Sequence, residues 1–167
     1  LARTADALDA TERARLLRLR SEALHAARDF RGSYTLAREV LQSARRGDED
    51  WARAASQAAV LAGRLGDQPL LDELEAQVCS ALADEHPLVD RVRALLGRQC
   101  FIADQTARGD ALLAALQRPL DEHEQVDPAT ASLVFGALVH RNRGAGHWHL
   151  RCTYAARAVR LSQAACD

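Results

Sequence analysis

The chain has 167 residues, 48% hydrophobic and 27% charged, with a formal net charge of −1. That is a globular balance, and the length suits one domain or a short array of repeats. All 22 basic residues are arginine, which excludes lysine chemistry: Schiff bases, Walker-type phosphate binding and Ser–Lys pairs. The lack of a basic excess argues against direct nucleic-acid binding. No run reaches the ~18 apolar residues of a membrane span, and no secretory leader pattern opens the chain. It begins at Leu1 and has no methionine, the marks of an excerpt from a larger chain, expected in the cytoplasm.

Alanine, leucine, arginine and glutamate dominate, and these head the helix scale. Apolar residues recur at i, i+3, i+4 and i+7 between regular breaks at Gly32, Gly47-Asp48, Gly66-Asp67, His86-Pro87, Gly109-Asp110, Asp127-Pro128 and Gly144-Ala-Gly146. Glycine suits the left-handed position that ends a helix, aspartate the N-cap, and proline the first turn. Eight helices are predicted, over about 12–29, 33–46, 50–65, 69–84, 87–107, 110–119, 128–143 and 147–164. The second places Tyr34, Ala37, Val40, Leu41 and Ala44 on one face. The third carries Ala54, Ala55, Ala58, Ala59 and Ala62, which lets neighbouring helices approach closely. Cys79, Cys100, Cys152 and Cys166 are too sparse for a disulfide scaffold and read as reduced, buried thiols.

The odd-numbered helices start near 12, 50, 87 and 128, at spacings of 38, 37 and 41 residues. Such a period marks stacked helical hairpins, each leaving an apolar face for its neighbour to cover. The hairpins fall at about 12–46, 50–84, 87–119 and 128–164. Within 31–44, Gly32, Tyr34, Ala37, Leu41 and Ala44 resemble the small, aromatic, small, bulky, small pattern of the second half of a tetratricopeptide repeat. Gly146, Trp148, Ala155 and Ala158 resemble the same pattern in the last hairpin, with Arg151 where that family has a small residue. The resemblance implies an all-α, right-handed superhelix of four antiparallel hairpins, a non-catalytic module that binds a protein segment or a small effector on its concave face. Long arginine- and alanine-rich repeats of this kind resemble the regulatory segments of multidomain bacterial signalling proteins, such as LuxR-type transcription activators and diguanylate cyclases. The lysine-based carboxylate clamp of that family's chaperone-binding members has no counterpart here.

Arg18, His25, Arg53, Gln57, Arg98 and Gln99, all on first helices of hairpins, are the candidates for the concave face. Arg141 and Arg143 extend the set into a C-terminal hairpin that holds five arginines and no acid between 128 and 166. Residues 67–90 hold seven acids and no base, and Asp72, Glu73 and Glu75 read as solvent-facing. No cofactor is implied. The residues touch on three other chemistries. Glu22-x-x-His25 has di-iron spacing, yet the motif occurs once where such bundles need it twice. His140, His147, His149 and Cys152 have the ligand types for zinc, in a spacing that matches no common zinc motif, and would make the chain a helical-bundle metalloprotein or enzyme. Arg143-Gly144-Ala145-Gly146 precedes a helix as a phosphate-binding turn does, but lacks the preceding strand. An oligomerisation element, with a homodimer as partner, is a further alternative. "HRNRGAGHWH" (140–149) is read as a turn between helices, with a positive-φ glycine at 144 or 146 and Trp148 packed inward.

Overall fold

A computed structural model describes residues 9–79, 87–121, 127–144 and 146–165. The described residues are all-α, in eight helices: α1 (Ala10–Ala26), α2 (Phe30–Ser43), α3 (Glu49–Leu65), α4 (Gln68–Cys79), α5 (Pro87–Ile102), α6 (Thr106–Asp121), α7 (Pro128–Arg141) and α8 (Trp148–Ala164). The predicted ends of the fourth helix, within 80–84, and Cys166 lie outside the described residues.

Consecutive helices pack on each other, and the odd-numbered helices also pack in series, α1 on α3, α3 on α5, α5 on α7. Among the described residues no helix packs on one more than two places away in the chain. Polar links follow the same rule. Arg18 reaches Asp50, Tyr34 reaches Asp67, Arg108 reaches Asp72, and Arg91 reaches Asp127, separations of 32, 33, 36 and 36 residues. Each joins a hairpin to its successor.

α3 has neighbours on every side, and it is built for that. Ala52, Ala54, Ala55, Ala58, Ala59 and Ala62 are all buried, so four helices can close around a thin axis. Trp51 fills the space at its start, with Leu70, Leu74, Val78, Val92 and Leu96 in the same cluster. Ala37 of α2 belongs to that cluster, and Tyr34, Leu41 and Ala44, the residue that ends the helix, pack against it on the predicted face. A second cluster joins α5 to α8 through Phe101, Leu113, Val134, Phe135 and Leu138. Leu133 touches both.

Two breaks were misplaced by the glycine signal. Gly32 lies inside the first turn of α2, where its N–H donates to Asp29 Oδ1 at 2.9 Å, and the break comes earlier, at Arg28 with φ 63°. Gly109 lies inside α6, where a Cβ would come within 2.4 Å of the Phe101 ring, so the glycine serves packing there and not a turn. The α5–α6 break belongs to Asp104, φ 61°. At both places a non-glycine residue takes the left-handed turn, so α5 is shorter and α6 longer than predicted. Gly66 (φ 73°), and Asp127 capping Thr130 ahead of Pro128, act as their residue types suggest.

The last hairpin needs the largest correction. Trp148 does not pack inward; it is 71% exposed. The inward face of α8 is carried by Tyr154, Ala158 and Leu161, with Tyr154 stacked on Phe135 at 5.9 Å. On a helix Trp148 and Ala155 lie roughly a third of a turn away from that face, so Ala155 is exposed as well. Cys79, Cys100 and Cys152 are free thiols; Cys100 is buried, whereas Cys79 and Cys152 are exposed. Asp72 and Glu75 are not simply solvent-facing: both accept hydrogen bonds from Arg108 of α6.

Candidate functional site: a cleft along the odd-numbered helices

The odd-numbered helices line a cleft with a volume of about 370 Å³. α1 supplies Glu22 and His25, and α3 supplies Arg53, Ser56, Gln57 and Val60. α5 adds Leu88, Arg91 and Leu95, and α7 adds Leu133. Residues at i, i+3, i+4 and i+7 share a helix face, and the α3 set has that spacing. Helices packed in series therefore present one continuous surface. Its floor is apolar (Val60, Leu88, Leu95, Leu133) and its rim is polar, the usual make-up of a binding cleft.

Three of the predicted concave-face residues, His25, Arg53 and Gln57, meet in this cleft. His25 packs edge-on against Phe30 at 5.4 Å, and its Nδ1 is buried with no hydrogen-bond partner among the described residues. Arg53 Nε donates to Glu49 one turn back, at 2.7 Å. Gln57 has a structural duty: its amide donates to Ser21 O at 3.1 Å and Ser33 Oγ at 2.7 Å. Ser21 Oγ in turn donates to Ser33 O at 2.8 Å, so a buried polar knot fastens α1 and α2 to α3. Arg18 stands on the His25 side of α1, with Nε donating to Asp50 at 2.5 Å and Nη1 to Glu22 at 2.7 Å.

Arg91, which sequence reasoning missed, is the second cleft residue with a buried, unpartnered nitrogen. Its Nη2 donates to Asp127 at 2.9 Å, while Nε has no acceptor among the described residues. Burial works against the Asp127 carboxylate, but bonds from the Thr130 hydroxyl, Arg91 and the Thr130 N–H outweigh it and hold the pKa down at about 2. The signal for Arg91 was present: it stands three residues after Leu88 and four before Leu95, on the same face.

Arg98, Gln99, Arg141 and Arg143 lie outside the cleft lining. Gln99 is buried between helices, filling the space that the missing side chain of Gly63 leaves. Arg141 grips Asp110 with two bonds, 2.5 and 3.1 Å, tying α7 to α6. Arg143 donates to Asp104 and, at 3.2 Å, to the Ile102 carbonyl, closing the end of α5. Arg98 follows Leu95 by three residues, at the far end of the cleft-lining face of α5. His147, His149 and Cys152 are exposed. Among the described residues no three His, Cys, Asp or Glu side chains come close enough to hold a metal ion. No helix among them is long and apolar enough to cross a membrane. Comparison with protein-family models, curated proteins and solved structures finds no match.

Proposed function

We propose that the chain is a non-catalytic interaction module of tetratricopeptide-like build, a right-handed superhelix of four hairpins whose concave face takes up an extended segment of a partner protein. The single observation that carries this reading is the cleft: one surface lined by four odd-numbered helices, its apolar floor from α3, α5 and α7, with two buried nitrogens, His25 Nδ1 and Arg91 Nε, left without hydrogen-bond partners among the described residues. A buried polar group without a partner costs about 1–3 kcal/mol, which an incoming peptide carbonyl or carboxylate facing the Arg91 N–H would recover. Contacts limited to neighbouring helices support the repeat architecture. The regulatory role inside a larger bacterial signalling protein, in the cytoplasm, rests on the likeness of the repeats alone.

Peptide display against the chain and against a Ser56→Trp variant tests the reading. Ser56 is a half-buried helix position on the cleft wall, so the variant fills the cleft while circular dichroism reports that the helices persist. Peptides should bind the parent and lose at least about tenfold in affinity against the variant, the loss of one good contact. Binders indifferent to the substitution, or turnover of a substrate by the isolated chain, would overturn it.

A further inference from the structure

The cleft-lining face of α5 continues past Leu95 to Arg98, and the face of α7 that carries Leu133 continues, two turns on, to His140. α8 runs back along α7, with Ser132 hydrogen-bonded to the Ala158 carbonyl and Phe135 stacked on Tyr154, and this register sets Arg151 beside the His140 end of α7. The charged groups acting on His140 are Arg98 from α5, Arg143 from the α7–α8 turn and Arg151 from α8, every one a cation. Arg143 is neutralised by Asp104. Arg98 and Arg151 form no ion pair among the described residues, and the Nε of each is buried without a hydrogen-bond partner. Burial first, and then these three cations, hold the imidazolium pKa of His140 below its usual value. Two half-buried guanidinium groups at the same end of the helix stack, with no ion pair among the described residues, repel each other, and an anion between them removes that cost.

We infer that Arg98, His140 and Arg151 form a binding site for a phosphate monoester. Two unpaired guanidinium groups match a dianion in charge, and their fixed N–H forks match its oxygens in shape. His140 Nε2 or Nδ1 adds a donor or, once protonated in the presence of the anion, a further charge. Trp148 stands at the rim, 71% exposed, with the Arg151 guanidinium 5.8 Å from its ring centre. That exposed ring gives the group attached to the phosphate a flat surface to lie on. The site stands apart from the peptide cleft and does not require it: a chain that bound no peptide could still hold phosphate here.

NMR titration of the chain at low salt, watching the His140 imidazole, tests the site with inorganic phosphate, O-phosphoserine and uridine 5′-monophosphate. The expected result is saturable binding of all three, with the His140 pKa moving upward as the site fills. Arg98→Gln and Arg151→Gln should each weaken binding by at least about tenfold, the loss of one charge-assisted bond, while Arg160→Gln, an exposed arginine on the same helix, leaves it unchanged. Arg151 lies on α8, which has no buried residue, so its variant keeps the fold even where Arg98→Gln does not. A nucleotide advantage that disappears in Trp148→Ala assigns the phosphate to a nucleotide; an advantage for phosphoserine alone assigns it to a modified protein. Shifts that never saturate, or an equal loss in Arg160→Gln, show only general attraction to a basic helix and overturn the site.

Discussion

Tyr34 shows how one side chain can stake stability on its protonation state. Its hydroxyl donates to the Asp67 carboxylate across the boundary between the first two hairpins. Burial first, and then that carboxylate, push the phenol up to about 12, with Arg38 opposing weakly. The folded pKa lies above the unfolded value near 10, so the contribution is whole below pH 10 and is lost as pH rises towards 12. Urea melts at pH 9 and pH 11 should therefore show a larger fall in stability for the parent than for Tyr34→Phe. Equal falls would mean that the phenol is free to ionise. The sequence marked Tyr34 by its place on the apolar face of the second helix, and that face is the buried one. The inward packing expected of Trp148 is not found, since that ring is exposed. A narrow helix stripe is defined to within a residue or two, and the register of α8 on α7 was decided by the pairing of Tyr154 with Phe135, which no spacing rule foretold.

At the scale of the element, the ends of helices were less legible than their faces. Glycine was read as a stop signal, yet Gly109 is there to admit Phe101, and two of the real stops use Arg28 and Asp104 in left-handed geometry. A residue with a Cβ pays for that geometry, roughly 1–2 kcal/mol, while glycine does not. Opposite changes should thus have opposite signs. Arg28→Gly, at an exposed turn, should raise stability by about 0.5–1 kcal/mol, and Gly66→Ala, at φ 73°, should lower it by about 1 kcal/mol. Differential melting of the two variants reads both signs in one experiment. The cleft was half legible for a related reason. Periodicity tells which residues share a face, and it picked out His25, Arg53 and Gln57. It does not tell which side chains a neighbour will occupy, so it could not foresee that Gln57 is tied to Ser21 and Ser33, or that Gln99 points into the packed interior.

Across the whole molecule, cohesion is relayed from neighbour to neighbour. Among the described residues, the cluster around Trp51 and the cluster around Phe135 meet along α5, at Leu112 and Leu113 of α6, and at Leu133. Leu74 belongs to the first and Leu138 to the second, on helices that do not touch. Truncating either to alanine should cost about 2–5 kcal/mol, and the double variant should cost the sum to within about 0.5 kcal/mol. A coupling well beyond that, measured by denaturant melts of all four chains, would show that the two cores act as one.

The short reach of every link also bears on how the chain finds its shape. The Arg143 bond to the Ile102 carbonyl spans 41 residues, and no other described side-chain hydrogen bond spans more. Closing a loop of that size costs little more than closing one of 20, because the entropy grows only with the logarithm of length. Native pairings can accordingly form one after another, each close to the last in the chain, without waiting for distant ends to meet. Topologies dominated by such local closures fold in microseconds to milliseconds rather than seconds, and an interrupted search here would leave whole hairpins formed beside unformed ones.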